Sequence, residues 1–299
     1  MYDVVIYISS ISNPHKATDK VNLLMSFGQG AEKLGKKVYY QHKHEYVPGK
    51  LAVMIGWVAG TINAPNTILR KTVIDQQKAN GWHVMPIDAN CWSFCDPSNL
   101  WLRYSLDGIW YNENNYANKN SSPERWEKIK SALNIDLQPW RSNGRHILVC
   151  LQRQSGWSMK GVDNVQWAIE KIKQIRQYSN RPIRVRMHPK APTNIEALRR
   201  LGVEFSRPKT SILDDLRGAW ACVLFSSSAS VAAIQSGIPC FVDDNSCVAY
   251  AVSNTDISKI ETPIMPDRTQ WVYDLAACHW HVDESKEGLI YKHFEPYLG

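Results

Sequence analysis

The feature that most constrains the fold is a repeated alternation of short apolar runs and amphipathic helical segments. In the first half, strands are predicted over residues 4–8, 37–40, 51–57 and 83–87, with helices over 20–34 and 66–79 between them. Such alternation is typical of parallel strands whose connecting helices cover both faces of a sheet. Because the pattern restarts at residue 146 and continues to residue 242, the chain is predicted to be an α/β protein with two doubly wound, Rossmann-like sheets.

Two successive β/α halves predict two domains that face a cleft. The composition turns polar and basic at residues 139–144, which indicates a linker. The predicted domains are therefore 1–141 and 142–270, followed by a helical tail, 271–299, that crosses back to pack on the first domain. Ligands of doubly wound sheets bind outside the carboxyl ends of the strands.

The charge is unevenly distributed along the chain. The formal net charge is +7, and residues 141–209 hold 15 Lys and Arg against 4 Asp and Glu, whereas residues 210–299 hold 5 against 12. This asymmetry favours a polyanionic partner or an anionic ligand near the middle segment. Ordinary solvated helix faces are the open alternative.

The cysteines and the apolar segments bear on location. Seven cysteines are scattered without a repeated pair spacing, which indicates free or buried thiols in a reducing compartment. The first ten residues lack the pattern of a signal peptide, and no apolar run approaches the roughly 18 residues of a membrane span. The predicted location is the cytoplasm, without stable membrane insertion.

Two strand ends predict an anion site. Residues 183–187 lead into His188 and Lys190, and residues 221–225 lead into a series of serines at the start of a helical pattern. Hydroxyls and open backbone N–H groups there can hold a phosphate, and an imidazole can donate to it. A plain helix cap is the alternative. The residues predicted to bind a phosphate-bearing, nucleotide-type ligand are Arg186, His188, Lys190, Ser226, Ser227, Ser228 and Ser230.

A polar loop after the predicted strand at 146–151 is a second candidate for phosphate or acceptor binding. It contains Arg153, Ser155, Gly156 and Trp157, which combine charge with a close backbone approach. It matches neither the Walker A nor the G-x-G-x-x-G pattern, so an ordered surface turn is the alternative. No Asp-x-Asp motif stands at a strand end, and no metal ion is predicted.

The general base is predicted to lie in the first half of the chain. The candidates are Asp19, Asp88 and Asp107, because a carboxylate can take the proton of an attacking hydroxyl. Asp107 is favoured, since it lies in an aromatic, loop-rich region, residues 88–120, that resembles a binding surface more than a core. The residues predicted to bind an acceptor there are Trp92, Arg103, Tyr104 and Trp110.

The ordered set Asp107-Gly108, His188-Pro189 and Ser226-Ser227-Ser228 resembles the Asp/Glu-Gly, His-Pro and Ser-Ser motifs of GT-B glycosyltransferases. The similar groups are sialyltransferase-like enzymes and capsule Kdo transferases. The resemblance implies that the acidic residue is the base and that the histidine and serines hold the phosphate of a UDP- or CMP-linked sugar. Leu106 replaces the first acidic residue of the Asp/Glu-Asp/Glu-Gly pattern.

The chain also resembles phage glycosyltransferases that modify 5-hydroxymethylated pyrimidines in DNA. This resemblance implies a metal-independent enzyme that transfers a sugar to 5-hydroxymethylcytosine in phage DNA, in the host cytoplasm. The basic middle segment suits DNA as acceptor. One alternative is the synthesis of a bacterial surface or capsular polysaccharide, and another is a non-catalytic α/β protein that binds nucleic acid.

Overall fold

A computed structural model describes residues 1–58, 63–96, 98–153, 157–189, 191 and 194–299, with only the backbone of Trp157. Within these residues the strands are β1 (Tyr2–Tyr7), β2 (Val38–Gln41), β3 (Gly49–Ile55), β4 (His83–Ala89), β5 (Trp101–Tyr104), β6 (His146–Cys150), β7 (Ile183–Arg186), β8 (Glu204–Phe205), β9 (Ala219–Leu224), β10 (Cys240–Val242) and β11 (His279–His281). The α-helices are α1 (Thr18–Lys33), α2 (Pro65–Ala79), α3 (Glu124–Leu133), α4 (Asn164–Ile175), α5 (Glu196–Arg199), α6 (Ile212–Leu216), α7 (Ala229–Gln235), α8 (Thr269–Ala277), α9 (Val282–Lys286) and α10 (Leu289–Phe294).

The chain divides into two compact units. The first unit comprises Met1–Trp126 and Tyr273–Gly299, and the second comprises Glu127–Val272. The predicted boundary after residue 141 lies later than this division, because the segment before it is bonded to the second unit. The N–H of Gln138 donates to the Gln235 carbonyl at 2.8 Å, and the N–H of Arg141 donates to the Gly237 carbonyl at 2.8 Å.

The first unit is built on a six-stranded mixed sheet in the order β11-β5-β4-β3-β1-β2. Strands β1 to β4 are parallel, whereas β5 is antiparallel to β4 and β11 is antiparallel to β5. The four residues that end β1, Val4 to Tyr7, are entirely buried, as a strand covered on both faces requires. Phe27 of α1 packs in the core cluster on one face, and Val73 of α2 packs in the cluster on the other.

The region 88–120 contributes to the core, which corrects its interpretation as a binding surface. β5 lies within it, and Trp101 and Tyr104 of this strand are 5% and 0% exposed. The tail was predicted to be helical only, but it also supplies β11, in which Trp280 pairs with Leu102 of β5. β11 has only three residues, too few to show the periodicity of a strand in the sequence, so its formation depends on pairing with β5.

The second unit is built on a parallel five-stranded sheet in the order β10-β9-β6-β7-β8. The five residues of β6 are buried, as expected for its central position. α4 covers one face with Trp167, Ile172 and Ile175, which recur at the spacing of one helical face. The predicted α/β class with doubly wound, largely parallel sheets is confirmed in both units. No helix in the described part of the chain has the length and apolarity needed to cross a bilayer.

Candidate functional site

The carboxyl edge of the second sheet contains a point where the strand order reverses. From β6 the chain moves outward to β7 and β8, and then crosses to β9 on the other side of β6. Ligands of such sheets bind in the crevice beside this reversal. Gln152 follows β6 at that position, and the serines beginning at Ser226 follow β9.

The side chain of Gln152 connects the exit of β6 to the serine turn, defined as residues 226–228. Its Oε1 accepts a hydrogen bond from the N–H of Ser226 at 2.6 Å, and its Nε2 donates to Ser226 Oγ at 3.3 Å. Ser226 Oγ donates to the Ser158 carbonyl at 3.1 Å, and Asn164 Nδ2 donates to the Gln152 carbonyl at 2.6 Å. Gln152 and Asn164 are buried, which strengthens these bonds. Sequence reasoning missed Gln152 because a lone glutamine forms no motif.

The serine turn presents hydrogen-bond donors on its open side. Ser228 is exposed, while Ser226 and Ser227 are half-buried. Ser227 Oγ accepts the N–H of Ala229 at 3.2 Å, and the N–H groups of Ser227 and Ser228 have no acceptor among the described residues. Successive open N–H groups in a turn form a concavity that binds anions. α7 has only seven residues, so the donors themselves matter more here than its dipole.

Two of the predicted ligand-binding residues, Arg186 and His188, lie at the end of β7. With β6 between them, the exits of β7 and β9 lie roughly 10 Å apart, which is two strand spacings. His188 is half-buried at this edge, and its role in ligand binding stays a prediction. Arg186 forms an ion pair with the buried carboxylate of Asp215 and donates to the Thr210 carbonyl at 2.9 Å. These partners engage Nη1 of the guanidinium, and ligand binding by Arg186 stays a prediction.

Ser230 was also predicted to bind the ligand, and the structure corrects this assignment. Its side chain is 0% exposed, and its Oγ accepts a hydrogen bond from Cys247 Sγ at 3.4 Å. The residue lies in α7 on the side that faces the core, so its hydroxyl is unavailable to a ligand. Among the four serines predicted after β9, the three of the serine turn remain candidates.

The loop after β6 is described only in part. Arg153 is exposed, and Trp157 starts a short 3₁₀ turn, Trp157–Met159. Ser155, Gly156 and Lys190 lie outside the described residues. Ligand binding by these residues stays a prediction.

Two carboxylates that follow β10 also lie at this edge, and sequence reasoning missed them. Asp243 accepts hydrogen bonds from Trp167 Nε1 at 2.6 Å and from Lys171 Nζ at 2.8 Å. Asp244 pairs with Lys160 Nζ at 3.0 Å. Burial opposes ionisation of Asp244, but hydrogen bonds from Ser246 and the Lys160 ammonium outweigh it, and its pKa lies below the ordinary value. The sequence signal that could have revealed them is the Asp-Asp pair directly after the predicted strand that ends at residue 242.

Two of the three predicted bases lie at the carboxyl edge of the first sheet. Asp88 is the penultimate residue of β4, and its Oδ2 accepts a hydrogen bond from Nη2 of Arg103 in β5 at 2.5 Å. Its Oδ1 accepts the N–H of Ala89 at 2.7 Å. Asp19 is exposed in the first turn of α1, which follows the exit of β1. The predicted acceptor residue Arg103 therefore fixes the orientation of a candidate base.

The favoured base, Asp107, lies at the opposite edge. Its N–H donates to the Val84 carbonyl at 2.7 Å, and its Oδ1 accepts the N–H of Val84 at 2.9 Å, beside the first residues of β4. His83 and Asp88 are five positions apart in this strand, which corresponds to roughly 16 Å. Because β5 runs antiparallel to β4, it carries the chain back to the amino edge. The structure thus corrects the assignment of Asp107 as the base.

Two of the predicted acceptor-binding aromatics belong to the core, which corrects their assignment. Trp92 and Tyr104 are 1% and 0% exposed, and the Trp92 ring packs against Trp126 and His279 at centroid distances of 5.8 and 4.8 Å. Neither ring can stack on a base without unfolding its surroundings. Trp110 is half-buried, and acceptor binding by this residue stays a prediction.

The first sheet has its own reversal point, between β1 and β3, which sequence reasoning did not single out. Ser10 follows β1, and its Oγ accepts the N–H of Ile55 at 3.2 Å. Arg70 of α2 donates to the carbonyls of Ser10 and Trp57 at 2.5 and 3.1 Å, so it satisfies backbone groups that leave the strands at this edge. Gly56 adopts a φ of 74°, a conformation suited to glycine.

The charge asymmetry of the sequence is partly cancelled inside the second unit. Four cations of the basic stretch form ion pairs with carboxylates from the acidic last third: Lys160 with Asp244, Lys171 with Asp243, Arg181 with Glu261, and Arg186 with Asp215. Exposed cations remain at Arg199, Arg200, Arg207 and Lys209. The basic surface is therefore smaller than the residue count indicates. Among the described residues, no three His, Cys, Asp or Glu side chains are grouped to hold a metal ion.

Comparison with known proteins bears on the fold. No family model matches the chain, and no curated protein matches it. The beta Kdo 2,4 transferase of Thermosulfurimonas dismutans KpsC matches with a TM-score of 0.54 and 12% identity, over 93% of this chain and 90% of that one. The beta Kdo 2,7 transferase of the same protein matches with a TM-score of 0.52 and 14% identity, over 98% and 99%. At this identity the likeness concerns the fold, and the predicted GT-B fold is confirmed across both units.

Proposed function

We propose that the protein is a glycosyltransferase that uses a nucleotide-activated sugar. The observation that carries this proposal is the serine turn, whose open N–H groups and hydroxyls lie at the reversal point between β6 and β9. Gln152 holds this turn through two hydrogen bonds, so its donors are positioned before a ligand arrives. Preorganised donors of this kind stabilise a phosphate that gains charge as it departs.

The proposed reaction breaks the bond between the anomeric carbon of the donor sugar and a phosphate oxygen. An acceptor hydroxyl forms the new bond to that carbon and gives its proton to a carboxylate. The serine turn and His188 stabilise the departing nucleotide. Asp88 is the base that we favour, because it lies at the carboxyl edge of its sheet and Arg103 orients it, and Asp19 is the alternative.

A CMP-linked sugar is the first donor to test, followed by UDP-linked sugars. This order is supported by the names of the two structures that share the fold, which are Kdo transferases. We expect the reaction to proceed in the cytoplasm and without a metal ion. Addition of a chelator should therefore leave the transfer rate unchanged.

For the acceptor we favour a surface or capsular polysaccharide. The burial of Trp92 and Tyr104 removes two side chains that base stacking on DNA would use. 5-Hydroxymethylcytosine in phage DNA is the second candidate, supported by the exposed cations Arg199, Arg200 and Arg207. A non-catalytic nucleic-acid-binding protein is the remaining alternative, and it predicts DNA affinity without nucleotide affinity.

The donor site is tested by calorimetric titration with CMP and UDP. We expect His188→Ala to weaken nucleotide binding roughly tenfold or more, the effect of losing a hydrogen bond to a charged group. The matched control is His44→Ala, because His44 is exposed in the first unit. Absence of nucleotide binding by the wild-type protein would reject the proposed function, and equal affinities of both variants would remove His188 from the site.

The acceptor is tested by mass analysis after incubation with CMP-Kdo and UDP-sugars. One set of reactions contains Kdo-terminated oligosaccharides, and the other contains hydroxymethylcytosine DNA. A mass increment on the oligosaccharide supports the favoured acceptor, and an increment on the nucleoside transfers the proposal to DNA. Asp88→Asn should abolish the increment while CMP affinity persists; full activity would exclude Asp88 as the base.

A further inference from the structure

A cavity beside α2 in the first unit extends from Trp57, which follows the carboxyl end of β3, to the residues at the start of β4. It is separate from the serine turn and from Asp88. It has a volume of about 410 Å³, within the range of roughly 300–1,000 Å³ common for ligand sites. The residues that matter in its lining are Trp57, Ile74, Lys78, Trp82, His83 and Asp107. All of them belong to the first unit, and none is part of the proposed transfer reaction.

The polar end of this cavity is rigidly built. Asp107 Oδ2 lies 2.8 Å from His83 Nδ1, and Oδ1 accepts the N–H of Val84 at 2.9 Å. The Asp107 carbonyl accepts a hydrogen bond from Asn114 Nδ2 at 3.0 Å, which supports a backbone held at a φ of 65°. The Asp107 side chain is nevertheless 49% exposed, so its carboxylate is open to a further donor.

The walls of the cavity are aromatic and apolar. Trp57 and Trp82 are half-buried. Trp82 precedes β4, beside the Asp107 end of the cavity, whereas Trp57 follows the carboxyl end of β3 at the other end. Ile74 of α2 lines the space as well. An indole beside a fixed carboxylate matches a pyranose ring, whose C–H face packs on an aromatic ring while its hydroxyls donate to carboxylate oxygens.

Lys78 adds a positive charge at the rim. It lies in the last turn of α2 and is exposed, and its ammonium can reach a carboxylate carried by the sugar. An exposed pair of this kind raises affinity modestly, by roughly two- to fivefold. The cavity should therefore accept neutral pyranosides and prefer acidic ones slightly.

We propose that this cavity binds a pyranoside, with the ring on the indole of Trp82 and its hydroxyls on the Asp107 carboxylate. Acidic pyranosides gain the contact with Lys78. The Asp107 end of the site lies at the other end of β4 from Asp88, roughly 16 Å away along the strand. It is therefore a second saccharide site, and it does not require that the protein transfers sugars.

The test uses two probes, methyl β-D-glucopyranoside and methyl β-D-glucopyranosiduronate, with saturation-transfer NMR and indole fluorescence titration on the full chain. Both should bind at millimolar concentration, the uronate roughly two- to fivefold more tightly. Lys78→Gln should abolish this preference, and Lys71→Gln on the same helix is the matched control. Trp82→Ala should weaken both probes roughly tenfold or more.

Asp107→Asn tests the polar end without disturbing the fold. Asparagine tolerates a positive φ and keeps an acceptor for the Val84 N–H, but it lacks the charge. We expect the neutral probe to bind roughly tenfold more weakly and the uronate to lose less, because the substitution also removes a like charge. CMP affinity in the second unit should stay unchanged. Wild-type protein that binds neither probe, or probes displaced from the Trp82 indole by uridine or guanosine at lower concentration, would overturn the proposal. CMP titration reports separately on the transferase site.

Discussion

Replacement of Gln152 by glutamate tests whether the serine turn is an anion site. Gln152 is 6% exposed, and its Oε1 accepts the N–H of Ser226 at 2.6 Å. Glutamate has the same length and keeps this acceptor, but it exchanges the amide group that faces Ser226 Oγ for a second carboxylate oxygen. The variant therefore preserves the shape of the turn and adds one negative charge beneath it.

The expected magnitude follows from the position of the charge. A phosphate on the N–H groups of Ser227 and Ser228 would lie roughly 7 Å from the new carboxylate, one to two residues beyond Ser226. At that separation, with an effective dielectric constant of about 20, the repulsion is about 2 kcal/mol. This energy weakens binding roughly 30-fold.

The assay is calorimetric titration of wild type, Gln152→Glu and the control Gln174→Glu with CMP and UDP. Gln174 is exposed near the end of α4, about 15 Å along the helix from Asn164, where screening removes most of the repulsion. The control should bind as the wild type does. The serine turn does not hold the phosphate if Gln152→Glu shows a cooperative thermal unfolding transition and still binds both nucleotides with wild-type affinity.

Three further predictions concern stability. Burial lowers the pKa of His279 to about 3, so between pH 7 and pH 5 only the unfolded chain protonates this imidazole. The contribution of neutral His279 to the free energy of unfolding is therefore complete above about pH 6.5, and it falls by about 2 kcal/mol between pH 7 and pH 5. Urea titrations should show a smaller fall for His279→Asn, and equal falls would contradict this. Gly30→Ala should lower the melting temperature, because its Cβ would clash with the Ser285 carbonyl oxygen; a rise, as at an open helical position, would show that the tail is not docked there. Arg186→Gln should cost about 3–5 kcal/mol in chemical denaturation, and Asp215→Asn should recover part of it; additive losses would exclude coupling.

The sequence by itself determined the α/β class and the division into two sheets. Alternating apolar runs and helical patterns specify strands that are buried on both faces, and this information is local. It also placed the serine turn and His188 correctly at carboxyl ends, because each follows its own strand directly. The direction of a parallel strand then decides the edge.

The tertiary structure alone decided the site assignments that depend on pairing. Asp107 was expected beside the acceptor, but β5 pairs antiparallel to β4 and carries it to the amino edge, next to His83. Trp92 and Tyr104 look like a binding surface in sequence, and only packing reveals that they are buried. Gln152 gained its role from Ser226, 74 residues away.

The same distinction explains the charge distribution. The sequence shows a basic middle segment and an acidic last third, which indicated a surface for a polyanion. The fold brings Lys171 to Asp243 and Arg186 to Asp215, so part of the asymmetry is neutralised within the second unit. Local pattern fixes which segments form strands and helices, because that depends on side-chain periodicity. Which side chains meet depends on strand order and direction, and these are settled only when the whole sheet forms.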